Sequence, residues 1–499
     1  MLFVTIRFKQ IMYSKMIVNS FLLTFLTTSI SLSTVSWAFA PAFARPGESR
    51  LASTRIRLAS DTPAVLPEFS SQQDYIDYLE SASALPKGFA TGSADGTFIS
   101  VEAPNMGELK IRGTIIALTD EPTDNWAAVF TSNKFPGAPV RVGRSRLEAG
   151  GQLHAIVINN KVSNVCSGGD GVADSESVCE AVANALNLPG GSKTVLPSST
   201  GVIGWRLPAK ELATDIIPKA AANMQSESIL AAAKAIMTTD RYPKVRSITL
   251  SNGARVVAIG KGAGMIEPNM ATMLAYILTD ATVPKATLQT ILSEAVNKSF
   301  NSISVDGDES TSDTVVVVAS NKYALEDENE FRQALESVCV GLASDIVRNG
   351  EGTAHVMRVQ IQNFPGTDLD ARRLGRHIVN SPLFKCAVHG NDPNTGRLAA
   401  AIGSYMGKYK PEESVDSMSI TLGGRTIFAN GKFILEGIAV EQELSNHMKD
   451  AEYGDSTNYP PHQKFVEIGV DFGNGEATAT VIGSDLSNEY IVVNADYRS

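Results

Sequence analysis

The chain has 499 residues, of which 43% are hydrophobic, so it is long enough for one large domain or two of ordinary size. Its formal net charge is −10 and its isoelectric point is about 5.3. Because a nucleic-acid surface needs an excess of basic residues, this composition excludes nucleic acid and favours small molecules as partners.

The N-terminal part has the composition of a targeting segment. Arg7, Lys9 and Lys15 precede the apolar stretch SFLLTFLTTSISL, small residues follow it, and no acidic residue occurs before Glu48. This order is typical of a cleaved secretory signal, and its apolar part is too short and too rich in Ser and Thr to span a membrane securely. We therefore expect residues 1–65 to be a presequence and linker outside the fold, and we expect no membrane partner.

The next stretch, FAPAFARP at residues 39–46, contains no acidic residue. A signal joined to such a stretch resembles the two-part presequences that carry proteins into algal plastids of secondary origin, so a plastid is the favoured compartment. A mitochondrial presequence is the alternative, with MLFVTIRFKQIMYSK as its amphipathic part. Plain secretion is also open, although the cysteine pattern disfavours it.

The cysteines and histidines show no ligand spacing. Cys166, Cys179, Cys339 and Cys386 are far apart and form no C-x-x-C pair, and the six histidines form no H-E-x-x-H motif. Because a zinc site needs close ligand pairs and a disulfide framework needs a higher cysteine density, we predict free thiols and no metal.

Strand-like and helical patterns alternate along the rest of the chain, without an internal repeat. His154–Asn159 and Thr314–Ser320 are short and β-branched, as buried strands are. Apolar residues recur at helical spacing at Phe331, Leu335, Val338, Leu342 and Ile346, and Gly350 is predicted to cap that helix.

Near the C-terminus, apolar and polar residues alternate over 466–472 and again over 477–481, with Asn474-Gly475 between them. This pattern predicts a β-hairpin with one solvent-facing side. The chain as a whole is predicted to be an α/β protein with layered mixed sheets covered by helices.

The segment KGAGMIEPNMATMLAYILTDA, residues 261–281, places Thr272 between a glycine-rich approach and an apolar run. It follows a strand-like stretch, Arg255–Ile259, but it is not a phosphate-binding loop, because Met265 interrupts the G-x-G-x-x-G pattern. Pro268 and the spaced glycines restrict the backbone, and the run MLAYIL is predicted to be a buried strand or the start of a helix. Spacing alone makes Thr272 a capping residue.

This segment resembles the self-cleavage segment of the ornithine acetyltransferase family, enzymes of arginine biosynthesis also called glutamate N-acetyltransferases. The resemblance runs from about Gly88 to Ser499. Six further blocks follow the family's order: SSTGVIG (198–204), MTTDRYPK (237–244), SVDGDESTSDT (304–314), IVRNGEG (346–352), GNDPN (390–394) and NADYRS (494–499).

The resemblance implies that the chain cuts its own Ala271–Thr272 bond. An α chain, 66–271, and a β chain, 272–499, would then form an α2β2 assembly with a self-processing N-terminal-nucleophile-like fold. Freed Thr272 carries an α-amine with a pKa of about 7.7–8.0 in model peptides. That amine is a base held beside the Thr272 hydroxyl, so a nucleophile can be activated without histidine.

The resemblance also assigns the other site residues. The Thr200 hydroxyl and the Gly201 N–H would stabilise the oxyanion. The substrate shell would comprise Thr238, Lys261, Thr272, Glu351, Asn494 and Ser499. Within it, we expect Lys261 to hold the substrate α-carboxylate and Glu351 to attract the ornithine ammonium group.

The implied activity is the transfer of acetyl from N2-acetylornithine to glutamate through an acetyl-threonine intermediate. No resident cofactor is required, and use of acetyl-CoA as a second acetyl donor is left open. Two alternatives remain: a related self-processing aminopeptidase, which would transfer to water, and an uncleaved binding protein of the same fold.

The sequence departs from the family pattern in two places, at residues 160–163 of INNKVSNVCSG and at Thr395, where family members usually show tryptophan. Both departures are expected to alter local packing or substrate access. Asp306 and Asp308 could suggest a calcium loop, but the glycine and later ligands of such a loop do not align.

Overall fold

The computed structural model describes residues 66–267, 273–434, 437–454 and 458–495. The strands are β1 (Phe89–Ile99), β2 (Glu108–Leu118), β3 (Trp126–Phe130), β4 (Ala155–Asn159), β5 (Val195–Ser199), β6 (Lys244–Thr249), β7 (Arg255–Lys261), β8 (Leu274–Thr282), β9 (Ile303–Ser304), β10 (Thr314–Ala324), β11 (Val356–Phe364), β12 (Ser419–Leu422), β13 (Arg425–Ala429), β14 (Lys432–Phe433), β15 (Val466–Asp471) and β16 (Ala477–Ser484).

The helices are α1 (Gln72–Ala82), α2 (Ala138–Glu148), α3 (Gly171–Ala185), α4 (Ala209–Glu211), α5 (Ile217–Ala222), α6 (Leu230–Ala235), α7 (Lys285–Lys298), α8 (Glu328–Arg348), α9 (Asp368–Val379), α10 (Pro382–His389), α11 (Thr395–Tyr409), α12 (Gly437–Asp450) and α13 (Asn488–Ala495). A π-helical turn at Leu212–Ile216 joins α4 to α5. In the described ranges, no helix combines the length and the apolar character needed to cross a bilayer.

The strands form three sheets, with orders β1-β2-β4-β5, β3-β10-β8-β7-β6 and β14-β13-β12-β15-β11-β16-β9. Each sheet contains both parallel and antiparallel pairs: β4 and β5, β8 and β10, and β11 and β15 run parallel, whereas β1 and β2, β7 and β8, and β11 and β16 run antiparallel. The predicted mixed strand order is therefore confirmed.

Alternate residues of β7 and β8 pack into two different cores, because successive side chains of a strand point to opposite faces. Ala258 and Ile277 join the core that contains α7 and α8. Ile259 and Tyr276 join a second core with residues of the first sheet, such as Ile156.

The opposite face of the first sheet packs against α3 and α5, where Val157 meets Val182 and Ile217 in one cluster. Two sheets thus pack face to face with helices on their outer sides. The third sheet has its own core with α9 to α12. This arrangement confirms the predicted α/β fold with layered mixed sheets covered by helices.

The predicted buried strands and the predicted helix are confirmed. His154–Asn159 contains β4, Thr314–Ser320 begins β10, and the run MLAYIL forms the start of β8. The five apolar residues that predicted α8 are all buried, at Phe331, Leu335, Val338, Leu342 and Ile346.

The predicted cap of α8 was wrong in detail. Asn349 is the C-cap residue, and Gly350 follows it without the positive φ that a glycine cap uses. Glycine is required at 350 for space: a Cβ there would lie 3.0 Å from the Val347 carbonyl oxygen and closer still to the Thr353 hydroxyl.

The predicted C-terminal hairpin was also wrong. Its two strands exist as β15 and β16, but β11 lies between them, parallel to β15 and antiparallel to β16. The turn crosses the end of β11, where a Cβ on Gly475 would lie 2.6 Å from the Pro365 nitrogen. Alternation identifies which face of a strand is buried, but it does not identify the neighbouring strand.

All four cysteines are free, as predicted. Cys179 and Cys339 are buried, and Cys166 and Cys386 are exposed. Burial raises the pKa of the Cys179 thiol to about 12, so this thiol is not reactive at neutral pH.

Candidate active site

The segment that carries the predicted cleavage bond connects two adjacent strands. β7 and β8 pair antiparallel, and Lys261, the last residue of β7, lies opposite Leu274, the first residue of β8. Ala271 and Thr272, the predicted cleavage pair, lie outside the described residues. The structure therefore defines the two flanks of this segment.

The N-terminal flank is held by the loop after β9. The N–H groups of Met265 and Ile266 donate to the Asp306 carboxylate at 2.6 and 2.8 Å, and the Val305 N–H donates to the Ile266 carbonyl at 2.6 Å. Met265 has φ +57°, a left-handed conformation that non-glycine residues seldom adopt. Asp306 is thus an anchor for a strained turn.

The C-terminal flank is held by the other end of the same loop. The Thr314 N–H donates to the Met273 carbonyl at 3.1 Å, and Thr314 pairs with Leu274 in the sheet. The block SVDGDESTSDT therefore fixes both sides of the segment that contains Thr272. Within this block, the Asp306 carboxylate accounts for the bonds to the N-terminal flank.

Asp240 joins the MTTDRYPK block to the glycine-rich segment. Its carboxylate accepts hydrogen bonds from the Lys244 ammonium at 2.6 Å, from the Gly262 N–H at 2.9 Å and from the Thr238 N–H at 3.0 Å. Burial alone would raise the pKa of Asp240, but the Lys244 and Lys261 ammonium groups and the Gly262 N–H outweigh it, so the pKa is lowered.

Asn349, from the IVRNGEG block, completes this network. Its side-chain oxygen accepts from the Arg241 N–H at 2.9 Å, and its amide nitrogen donates to Asp240 and to the Gly262 carbonyl, both at 3.3 Å. The MTTDRYPK block, the glycine-rich segment and the IVRNGEG block thus meet at the buried side chains of Asp240 and Asn349.

Lys261 is buried beside this network, with 6% of its surface exposed. Burial lowers the pKa of its ammonium group, opposed by the nearby carboxyl groups of Asp240, Asp313 and Glu351. Among the described residues, none accepts a hydrogen bond from this ammonium group, whereas the nearby Lys244 ammonium group donates to Asp240.

Glu351 is held in place by three elements. Its N–H donates to the Ala263 carbonyl at 2.9 Å, and its carboxylate accepts from the Thr239 hydroxyl at 2.7 Å and from the Asn494 amide at 2.8 Å. Gly264 packs directly on this carboxyl group, because a Cβ at 264 would lie 2.6 Å from the Glu351 Cδ.

The structure therefore brings four predicted substrate residues into one neighbourhood. The Glu351 carboxyl group acts electrostatically on Lys261, Asn494 bonds to Glu351, and Thr238 is an exposed residue beside Thr239. Their roles toward substrate stay predictions. Ser499, like Thr272, lies outside the described residues.

The predicted oxyanion residues lie just after β5. Thr200 is buried, and its N–H donates to the Asn159 carbonyl at 3.0 Å. Gly201 has φ +130°, and a Cβ there would lie 2.6 Å from the Val162 nitrogen, so only glycine fits. Among the described residues, no acceptor is bonded to the Gly201 N–H, as an oxyanion donor requires.

Two side-chain bonds connect this turn to the rest of the site. The Tyr276 hydroxyl of β8 bonds to the Ser198 hydroxyl at 2.7 Å. The Asn160 amide donates to the Met237 carbonyl at 3.1 Å, beside the MTTDRYPK block. The turn is thus tied both to β8, two residues after Thr272, and to the Thr238 loop.

The two departures from the family pattern have distinct structural settings. Residues 160–163 pack against the turn that contains Thr200 and Gly201. Lys161 has φ +68°, and Asn164 and Cys166, later in the same block, have φ +53° and +49°. These left-handed positions suit glycine or asparagine better than lysine or cysteine. Thr395 is buried at the first turn of α11.

The C-terminal segment that delivers Asn494 is anchored by an acid–histidine cluster. The Asp485 carboxylate bonds to the ring nitrogens Nδ1 of His355 and His389, each at 3.0 Å, and accepts from the Ala354 N–H at 3.0 Å. His355 and Asp485 are fully buried. These bonds fix the chain just before α13, close to the loop of Glu351.

Sequence reasoning missed several residues that organise the site, namely Thr239, Asp240, Asn349 and Asp313. The four-residue spacing of Asp240 and Lys244 indicated an ion pair. It did not indicate burial, because exposed ion pairs have the same spacing. Asn349 and Thr239 carried no signal of their own.

Comparison with known proteins identifies the family of the chain. The model of the ArgJ family matches residues 105–499. The arginine biosynthesis bifunctional protein ArgJ of Nitratidesulfovibrio vulgaris is 34% identical over 424 residues, which covers 84% of this chain and all of that protein. The mitochondrial ArgJ of Aspergillus fumigatus is 34% identical over 485 residues, covering 92% of this chain and 99% of its own.

Among solved structures, the arginine biosynthesis bifunctional protein ArgJ of Bacillus halodurans is 32% identical, with a TM-score of 0.40, covering 45% of this chain and 100% of that chain. The family match extends over most of the sequence, and it confirms the resemblance found in the sequence blocks. The chain belongs to the ArgJ family.

Proposed function

We propose that this protein is a glutamate N-acetyltransferase of arginine biosynthesis, which moves acetyl from N2-acetylornithine to glutamate. The observation that carries this proposal is the pairing of a buried ammonium group, on Lys261, with the anchored carboxylate of Glu351 beside the Thr272 segment. Acetylornithine and glutamate share an α-carboxylate and an α-nitrogen, and the two charges complement the carboxylate and the ornithine ammonium.

The proposed reaction has two half-steps. Thr272 Oγ attacks the acetyl carbonyl of acetylornithine, its proton passes through the Thr272 α-amine to the leaving nitrogen, and ornithine departs. The glutamate amine then attacks the acetyl-threonine ester, and Thr272 Oγ recovers its proton. In each half-step, the Thr200 hydroxyl and the Gly201 N–H stabilise the tetrahedral oxyanion.

The test uses purified protein with acetylornithine, with and without glutamate. We expect acetylglutamate and ornithine in equal amounts, and little free acetate without glutamate. Release of acetate at the full rate without glutamate would instead favour the aminopeptidase-like hydrolase. Thr272→Ala should remain one full-length chain on a denaturing gel and show no transfer. A full-length wild type without transfer activity would favour the uncleaved binding-protein alternative, and a full-length wild type that is active would contradict the proposed mechanism.

Lys261 gives a prediction for binding. Lys261→Met removes the charge but keeps most of the side-chain volume, and a hydrogen bond to a charged group contributes about 1.5–3 kcal/mol. We therefore expect KM for acetylornithine to rise about 10–100-fold, measured by ornithine release. Lys110→Met, which changes an exposed lysine on β2, should leave KM unchanged. An unaltered KM in Lys261→Met would contradict the assigned contact.

The relatives' names suggest two extensions. They are called bifunctional, so we propose that acetyl-CoA also serves as an acetyl donor. Incubation with acetyl-CoA and glutamate, without acetylornithine, tests this second activity.

Some relatives are mitochondrial, and we propose an organelle for this chain, with a plastid favoured by residues 1–65. A fluorescent fusion to those residues distinguishes plastid from mitochondrion. We further propose an α2β2 assembly, which mass measurement in solution would test.

A further inference from the structure

The loop that leads into β10 contains buried polar atoms without a partner among the described residues. These atoms are the Thr311 and Ser312 hydroxyls and both carboxyl oxygens of Asp313. Asp313 is 3% exposed. Because an unpaired buried carboxyl group is costly, such a group in a folded protein calls for a functional explanation.

Asp313 lies next to the C-terminal flank of the predicted cleavage bond. Its carbonyl accepts from the Thr131 N–H at 3.1 Å, and the following residue, Thr314, bonds to the Met273 carbonyl. The Met273 N–H and the Thr131 hydroxyl lie near the Asp313 carboxyl, but neither makes a hydrogen bond of ordinary geometry with it. The Thr131 hydroxyl donates instead to the Ser310 carbonyl at 2.7 Å.

Thr272 precedes Met273 directly in the sequence. A carboxyl group beside the Met273 N–H is therefore within one residue of the nitrogen of the Ala271–Thr272 bond. After burial, the Lys261 ammonium group has the largest effect on the pKa of Asp313, which it lowers.

The electrostatic setting favours the neutral acid. Burial raises the pKa of Asp313 well above its ordinary value, and the Lys261 ammonium and the Met273 N–H only partly oppose it. The carboxyl group therefore retains its proton at a pH where an exposed aspartate has lost it. A retained proton makes Asp313 a donor.

We propose that Asp313, buried and unpaired beside Met273, is the proton donor for self-cleavage at Ala271–Thr272. This inference rests on the proposed function, because it assumes that Thr272 becomes the N-terminal nucleophile. It assigns a role to a residue that the sequence blocks left without one.

The step balances as follows. Thr272 Oγ forms a bond to the Ala271 carbonyl carbon, and the C–N bond to Thr272 breaks. Asp313 gives its proton to the departing nitrogen and recovers one from the Thr272 hydroxyl. Water then hydrolyses the ester, which releases the Ala271 carboxylate and the free Thr272 α-amine and hydroxyl.

The test follows cleavage after cell-free synthesis of the full chain, by denaturing gel and mass spectrometry. Asp313→Asn keeps the shape of the side chain but cannot transfer its proton. General acid catalysis contributes about 10²–10⁴-fold, so we expect cleavage to slow by at least ~100-fold. Glu309→Gln, at an exposed acid in the same loop, should cleave at the wild-type rate.

Hydroxylamine separates this role from a structural one. It cleaves esters but not amides, so it releases the two pieces only if the acyl shift to Thr272 Oγ has occurred. We expect no release from the Asp313→Asn precursor. Release, or cleavage at the wild-type rate, would overturn the assignment.

The wild-type pH profile provides a result that depends on no variant. If Asp313 donates the proton, cleavage should slow as the pH rises and Asp313 loses its proton. A cleavage rate that only increases with pH would contradict the proposal. Thermal unfolding checks the fold of Asp313→Asn. Failure of the proposed function is distinct, since it would appear as a wild-type chain that cleaves itself but transfers no acetyl to glutamate.

Discussion

Asp240 and Lys244 form an ion pair whose side chains are both fully buried. Removing one partner of a buried pair leaves an uncompensated charge and costs about 3–5 kcal/mol. We therefore expect Asp240→Asn to lower the free energy of unfolding by that amount, measured by urea denaturation at neutral pH.

The chain supplies a matched control. Asp215 and Lys219 have the same four-residue spacing, but their side chains are 53% and 57% exposed. Asp215→Asn should change the free energy of unfolding by less than about 1 kcal/mol. Equal losses of unfolding free energy in Asp240→Asn and Asp215→Asn would contradict the stabilising effect of the buried pair.

The difference in unfolding free energy between the wild type and Asp240→Asn depends on pH with a fixed sign. The pKa of Asp240 is lowered in the folded protein, so its stabilisation is present above the unfolded pKa and is lost as the pH falls through the folded value. The gap in unfolding free energy between the wild type and Asp240→Asn should therefore narrow below about pH 4.

Single residues also show what sequence could establish about the site. Lys261 and Glu351 were identified because they occupy matching positions in a known family, and the structure places them together. Asn349 bonds to Arg241, which is distant in sequence, and the four-residue spacing of Asp240 and Lys244 does not distinguish a buried pair from an exposed one. Asp313 lies beside Met273 and Thr131 only in the folded chain, so no local pattern revealed it.

At the scale of elements, the glycine-rich stretch after β7 is shaped by close contacts. Gly264 has no room for a side chain, because a Cβ would overlap the carboxyl group of Glu351. Gly264→Ala should displace this carboxylate from Thr239 and Asn494, and we expect it to lower kcat/KM for acetylornithine by at least about tenfold.

The control is Gly407→Ala, at a position in α11 where an added Cβ meets no atom within 4 Å. Alanine is the better helix former by about 1 kcal/mol, so this variant should be slightly more stable and fully active. Normal kinetics in Gly264→Ala would mean that Glu351 does not need its observed position.

The third sheet shows where sequence periodicity stops being informative. Alternation predicted β15 and β16 correctly, but their separation by β11 depends on contacts with a strand about 100 residues earlier. Gln360 of β11 lies opposite Thr480 of β16 and also opposite Gly469 of β15. A hairpin would have paired Gly469 of β15 directly with Thr480 of β16.

A cross-link distinguishes the two pairings. Gln360→Cys with Thr480→Cys, in a chain whose exposed Cys166 and Cys386 are changed to serine, should form a disulfide, because directly opposed strand residues have suitable spacing. Peptide mass mapping under oxidising conditions detects it. Gly469→Cys with Thr480→Cys should not link, because β11 separates these residues, and a link there would favour the hairpin.

At the scale of the whole molecule, the proposed cut falls between neighbouring strands of one sheet. β3, β6 and β7 precede Thr272, whereas β8 and β10 follow it. β7 and β8 pair from Val256 opposite Thr279 to Lys261 opposite Leu274. Both large cores on the faces of this sheet also combine residues from before and after the cut.

Cleavage should therefore leave the fold intact. The two pieces share backbone hydrogen bonds and buried apolar surface, and neither could leave without exposing both cores to water. We expect the cleaved protein to elute as one species in native gel filtration, at the volume of the Thr272→Ala precursor. The pieces should separate only at denaturant concentrations that unfold the protein. A β chain that elutes alone in native buffer would show that the shared sheet does not hold the pieces together.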